Sequence, residues 1–277
     1  MKYFWIIFKY LLITLVLLLV LFPLFYLISI SLMSNNLVTS GKAHFIADDW
    51  NWQNYSNAFY NGFLPSLANS LANVSLVVVT KLITLILGAY GLFLLNKFWR
   101  KILFIIFLFI SIIPEISLYF NLFKLSTEWS LTNKSIILAL SINSVFSFFS
   151  LNYFYNAFVD VSNKEAKTVV IDNLKWWEKF YYVYYSKLKM PIFLTVVFTT
   201  IEVWNSYLWP AIILSGKQTE NGQALNTIAT WFPQLGYMEQ GELLNLVAAG
   251  SVISILIPLS IYLICSKWIN RNLYKMV

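Results

Sequence analysis

The sequence predicts an all-α integral-membrane protein of six transmembrane helices, with a cytosolic helix between the fourth and fifth. Three observations carry the prediction. Of the 277 residues, 59% are apolar and only 11% charged, against about 45–50% and about 25% in an average soluble domain. Six stretches are long and apolar enough to cross a bilayer, which takes about 20 residues. The basic residues are distributed unevenly between the two sides that those spans define. The same composition excludes disorder, which needs low hydrophobicity and high charge. A single cysteine, Cys265, and a single histidine, His44, exclude a disulfide framework and cysteine- or histidine-cluster metal sites.

The first span is Tyr10–Met33, almost pure Leu, Ile, Val and Phe. Lys2 and Lys9 precede it as in a signal peptide. Its apolar run exceeds the usual 7–15 residues, however, and no small-residue cleavage site follows, so it reads as a retained span. The others lie at about 69–95, 102–122, 135–158, 191–214 and 244–264. Together they make residues 1–277 a single transmembrane domain. Fourteen of the nineteen lysines and arginines, from Lys2 and Lys9 to Arg271 and Lys275, then fall on one side. Lys42, Lys124, Lys134 and Lys217 fall on the other, and Lys81 lies inside the second span. Positive residues stay cytosolic, so both termini are expected inside. The net charge of +7 is largely this orientation signal. The basic residues are not arranged as a nucleic-acid groove.

Three polar stretches exceed what a helix–helix link needs. The outer segment Ser34–Ser70 carries Trp50, Trp52, Tyr55, Phe59, Tyr60 and Phe63. These rings suit the headgroup layer; otherwise they meet an external protein. The outer segment Ser215–Gly241, with four glycines and Pro233, is expected to form an irregular, hairpin-like excursion. The cytosolic segment 159–190 shows helical periodicity, with Ala166, Val169, Val170, Asn173 and Trp177 on one side. It reads either as a helix lying on anionic lipid or as a docking surface for a cytosolic subunit.

A charge at mid-bilayer costs about 2.5–3.5 kcal/mol on insertion scales. The chain carries Lys81, Glu115 and Glu202 within its spans. Either they act on a solute or they pair within the bundle, Lys81 with one of the glutamates. Asn143, Asn205 and Ser206 join an interior polar path or hold helices together. Pro114 and Pro210 are expected to kink or break their helices. No phosphate-binding loop is present: Gly216-Lys217 is followed by Gln218, and Ala211 stands where glycine is needed. Nor is there an H-E-x-x-H, CxxC or G-x-S-x-G motif.

These ordered features resemble a known family, the integral-membrane permease subunits of ATP-binding-cassette (ABC) importers for carbohydrates. The likeness is to the second permease of the maltose and glycerol-3-phosphate type. Tyr26–Ser34 resembles the end of the family's first helix. Trp52-Gln53-Asn54-Tyr55, then Asn69-Ser70-Leu71, resemble its W-x-N-Y…N-S-L pattern. Gly88-Ala89-Tyr90-Gly91 resembles the step closing the second helix, and Pro114-Glu115 the P-E step of the third. Trp204-Asn205-Ser206-Tyr207-Leu208-Trp209-Pro210 resembles the W-N-x-Y/F-L-W-P signature of the fifth.

The resemblance implies a coupling helix, read in the family as E-A-A-x-x-D-G-A, that enters a cleft of the ATPase subunit. Here Asp172 matches the aspartate, Asn173 stands at the glycine and Phe180 is suitably placed. Glu165-Ala166 lies two residues early, so the ungapped count puts Lys167 at the glutamate. Two residues turn a helix by about 200°. Either the helix holds an irregularity or the docking charge is reversed. The implied contact set is Glu165, Ala166, Lys167, Val169, Val170, Asp172, Asn173, Trp177 and Phe180.

The implied function is half of a translocation pathway in a bacterial cell membrane. Its partners would be a second permease, two cytosolic ATPases that bind the ATP and magnesium, and an extracytoplasmic substrate-binding protein. The chain itself needs no cofactor or metal and catalyses nothing. The pathway residues would be Lys81, Glu115, Asn143, Glu202, Trp204, Asn205 and Trp209. The binding protein would meet Asn51–Phe63 and Thr219–Glu242. The competing readings are a lipid-modifying membrane enzyme with Glu115 and Glu202 as acid and base, and an ion-coupled carrier, for which no inverted repeat is visible. The solute is either a neutral sugar, which the many aromatic residues would suit, or an anion such as glycerol-3-phosphate, to whose permeases the W-N-x-Y-L-W-P form is slightly closer than to those for maltose. An anion would want a cation on the path, and Lys81 and Lys124 are the candidates.

Overall fold

The computed structural model describes residues 2–40, 45–47, 50–171, 178, 184–218, 222, 224–238 and 241–273. In chain order the helices are α1 (Lys2–Leu32), α2 (Asn35–Thr39), α3 (Gln53–Tyr60), α4 (Phe63–Leu94), α5 (Lys97–Ile112), α6 (Glu115–Glu128) and α7 (Leu131–Lys134). They continue with α8 (Ile136–Ser141), a 3₁₀ turn (Ile142–Ser144), α9 (Phe148–Ile171), α10 (Tyr185–Trp204), α11 (Leu208–Leu214) and α12 (Ile228–Gln234). The strands β1 (Tyr237–Met238) and β2 (Gly241–Glu242) pair antiparallel before α13 (Leu244–Leu273). This short ladder and the Gln218–Ala224 bridge are the hairpin-like excursion expected of the second outer segment.

Among the described residues two helices, α1 and α4, are long and apolar enough to cross a membrane unaided. The expected third, fourth and fifth spans are each a bent pair. The bends are 93° between α5 and α6, 68° between Ile136–Ser144 and Phe148–Ser162, and 56° between Lys187–Trp204 and α11. The first bend follows from Pro114. The residue before a proline is pushed out of the α region, and Ile113 sits at ψ 123° with Pro114 at ψ 127°. Pro210 acts one turn upstream of itself. It cannot donate to the carbonyl of Ser206 and its ring clashes there, so the helix stops at Trp204 and restarts at Leu208. Pro210 then stands in the first turn of α11, where a missing N–H costs little.

Several helix ends differ from the expected span ends, α1 beginning at Lys2, α10 at Tyr185 and α13 running to Leu273. The second span begins six residues earlier, at Phe63. Helix α9 runs on past the expected end of the fourth span near Phe158, as one helix to Ile171. Glu165, Ala166, Lys167, Val169 and Val170 thus stand on its extension. Asp172, Asn173, Trp177 and Phe180 lie outside the described residues.

The chain forms two compact units, residues 1–67 with 218–277, and residues 68–217; α4 starts in the first and continues into the second. In the first unit, α13 packs along α1, α3 and α12. Gly250 sets the approach to α12, since a Cβ there would lie 2.7 Å from Leu235 Cδ1 and 3.0 Å from Phe232 Cβ. Buried Asn54 ties the connection after α1 in place. Its amide donates to the carbonyls of Ser31 and Met33, both at 2.9 Å, and its Oδ1 accepts from Asn245 at 3.1 Å. The Tyr55 and Ser31 hydroxyls lie 2.6 Å apart. This stretch, read from sequence as an aromatic belt, is thus also a clamp on the end of α1. Trp50, Trp52 and Tyr60 remain exposed. Trp231, nearly fully buried, donates to the carbonyl of Asn61 at 2.6 Å.

In the second unit the core is Leu85, Ala89 and Leu92 of α4 against Leu151, Phe154 and Phe158 of α9 and Leu188 of α10. Tyr90, Phe158 and Tyr184 pack tilted or edge-to-face around it at 5.2 to 6.3 Å between ring centres. The GAYG step of the sequence provides this close approach: a Cβ on Gly88 would touch Leu151 at 3.4 Å.

Candidate functional site: a polar cavity at three helix breaks

Non-helical backbone at membrane depth is tolerated where it is buried in protein or lines a cavity. The three breaks of the second unit meet that condition together. They surround a cavity of about 330 Å³ lined by Glu115, Tyr119, Asn143, Ser144, Glu202, Ser206, Tyr207 and Leu208. Glu115 and Tyr119 come from α6 just after the Pro114 break. Asn143 and Ser144 come from the 3₁₀ turn. Glu202 stands in the last turn of α10, and Ser206 and Tyr207 fill the gap before α11.

Each side chain has a local reason for its place. Glu115 is the first residue of α6, where a carboxylate faces the positive end of the helix. Four residues on, the Tyr119 hydroxyl donates to Glu115 Oε2 at 3.4 Å. The Ser144 hydroxyl donates to Asn143 Oδ1 at 3.1 Å. Across the cavity wall Lys81 Nζ donates to Glu202 Oε2 at 2.9 Å. The pair is lopsided: the Lys81 side chain is 2% exposed and that of Glu202 42%. Of the two glutamates that sequence offered Lys81, it is therefore Glu202 that takes it.

The seven expected pathway residues divide. Glu115, Asn143 and Glu202 line the cavity, and Lys81 reaches it through Glu202. Trp204, Asn205 and Trp209 do not line it. Trp209 is fully buried, and its indole N–H is shared between the carbonyls of Ala139 (3.2 Å) and Leu140 (3.1 Å). Those carbonyls close α8, where helices leave orphan acceptors, so Trp209 braces the fourth-span break while its ring packs on Tyr119 at 5.4 Å. Trp204 is buried. Asn205 is exposed and turns its amide back to the carbonyl of Ile201 at 2.9 Å, ending α10. The W-N-x-Y-L-W-P stretch thus shapes the break more than it coats the cavity. Only Ser206, Tyr207 and Leu208 of it face inside.

Sequence reading missed Tyr119, Ser144 and Tyr207, and also Asn73, whose buried Oδ1 accepts from Ser141 at 3.0 Å. Asn73 carried a signal, as an amide inside an apolar run. Tyrosines and serines are ordinary in such runs and carried none. Among the described residues no group of histidine, cysteine and carboxylate side chains is arranged to hold a metal ion.

Comparison with known proteins gives this architecture a context. No family model matches the chain. It is 25% identical to a probable ABC transporter permease protein of Mycoplasma genitalium over 90% of its own length and 80% of that protein's. It is 26% identical to the sn-glycerol-3-phosphate transport system permease protein UgpE of Yersinia pestis, covering 92% of this chain and 91% of that one. A shorter match, also 26% identical, covers 53% of this chain and 55% of the lactose transport system permease protein LacG of Rhizobium radiobacter. Among solved structures, a bacterial ABC transporter involved in import of the acidic polysaccharide alginate superposes with a TM-score of 0.77. The match covers 96% of this chain and 97% of that chain, at 21% identity. The chain therefore has the fold of a chain of an ABC importer, and its sequence resembles ABC transporter permease proteins along nearly its whole length.

Proposed function

We propose that the chain is one permease subunit of an ATP-driven importer for a sugar or a glycerol-3-phosphate-like solute. The observation that carries this is the convergence of three broken spans on one polar cavity, in a chain that resembles permease proteins. The chain acts as a single translocation domain in the cell membrane with both termini in the cytosol. A second permease completes the pathway. Two ATPase subunits bind ATP and magnesium, and a substrate-binding protein delivers the solute to the outer segments. The role is conformational, and no bond is made or broken by this chain. Glu165–Val170 and the segment beyond them, to Phe180, meet the ATPase. ATP-driven movement of that contact switches the cavity between outer and inner access.

The test is affinity purification of the tagged chain from its native membranes in mild detergent. An ATPase and a second permease should copurify in fixed ratio, and the complex should hydrolyse ATP. A chain that purifies alone, or only with copies of itself, would refute the assignment.

A further inference from the structure

The cavity's charge bears on the solute, a question that composition left open between neutral sugars and anions. Among the described residues no lysine or arginine lines it. The two cations that could have served an anion are both engaged. Lys81 is held by Glu202 at 2.9 Å, and Lys124 pairs with Glu128 at 3.9 Å on an exposed face of α6. The wall keeps the Glu115 carboxylate, whose neighbour is the Tyr119 hydroxyl at 3.4 Å. Its second carboxylate, Glu202, is the one paired with Lys81, and the remaining polar groups are neutral: the hydroxyls of Tyr119, Ser144, Ser206 and Tyr207 and the amide of Asn143.

We infer that this half of the pathway is built for an uncharged, hydroxyl-rich solute and rejects phosphates and carboxylates. The inference rests on the importer reading and narrows it. A hydroxyl both donates and accepts, so it can give to Glu115 and Glu202 and take from the tyrosine, serine and amide donors. An anion is acceptor-only and meets an uncompensated carboxylate. Like charges brought together cost several kcal/mol, so discrimination of roughly a hundredfold or more is expected. An ammonium solute is donor-only. It finds one free carboxylate and leaves the neutral donors without acceptors.

The assembled complex, with its own ATPases and binding protein, is reconstituted in proteoliposomes. ATP-dependent uptake of radiolabelled maltose, lactose, sn-glycerol-3-phosphate and spermidine is then compared. A neutral sugar should enter at least ~100-fold faster than the phosphate and the polyamine. Faster entry of sn-glycerol-3-phosphate or spermidine overturns the inference and leaves the importer reading intact. So does a complex that hydrolyses ATP and moves none of the four. A preparation without an ATPase fails at the importer reading, and the inference falls with it. In the same vesicles Glu115→Lys should cut sugar uptake about tenfold and let sn-glycerol-3-phosphate compete. Unchanged selectivity in that variant, with the complex still assembled, counts against the inference.

Discussion

Lys81 and Glu202 form one ion pair from two environments, and the two halves of the pair should answer differently to mutation. The ammonium has almost no access to water, whereas the carboxylate is partly open to the cavity. Removing one partner of a buried pair leaves the other charge uncompensated, at about 3–5 kcal/mol when it is fully buried. Glu202→Gln strands the lysine, so a loss of roughly 2–3 kcal/mol is expected, less than the full figure because the pair is half-open. Lys81→Met keeps the volume and leaves a carboxylate that water can reach, so about 1 kcal/mol or less is expected. Thermal unfolding of the two variants in detergent should therefore rank Glu202→Gln as the less stable. The reverse order would mean that the pair is stabilised from the glutamate side. Of this site, Lys81, Glu115, Asn143 and Glu202 were legible in the sequence, because a charge or an amide in an apolar run is costly and conspicuous. Trp204 and Trp209 stood out as a motif, yet the structure uses them for packing. A motif marks that a side chain is needed without telling whether it faces solute or backbone.

At the scale of elements, the apolar runs were readable and their interruptions were not. A window of hydropathy averages across Pro114, across the 3₁₀ turn and across Asn205–Tyr207, so each bent pair passes as one span. The proline pointed to two of the breaks. The break at 142–147 has no proline and was invisible. The C-terminal end of α9 bears on coupling. Because α9 is one helix through Glu165–Val170, Glu165 and Lys167 stand about 200° apart on it. The helix is continuous as far as Ile171, and the remainder of the count, to Asp172, lies outside the described residues. If this segment docks on the ATPase with Lys167 at the contact, Lys167→Glu should uncouple ATP hydrolysis from uptake by at least about tenfold. Two charges about 4 Å apart interact by about 4 kcal/mol at a surface-like dielectric before desolvation and entropy costs. Glu165→Lys should leave coupling intact. The readout is the ratio of solute imported to ATP hydrolysed. Normal ratios in both variants would shift the coupling contact to the apolar residues Val169, Val170 and Trp177.

On the proposed function, the whole molecule works its cavity with energy supplied by partner ATPases. Its second unit gathers charged and polar groups where three spans break, and its first unit clamps the end of α1 through Asn54 and Asn245. The all-helical class and the apolar spans were legible because composition and charge bias are properties of the whole chain. How the polar groups gather was not, since it depends on where helices stop. An ATP-driven importer switches access to this cavity by ATP and not by an ion gradient. The direct measurement is sugar uptake by proteoliposomes holding the complete complex, with ATP trapped at the cytosolic face or omitted, and with or without an ionophore that collapses proton and sodium gradients. Uptake should require ATP and survive the ionophore. Uptake that proceeds without ATP and stops when the gradients collapse would contradict the proposed function.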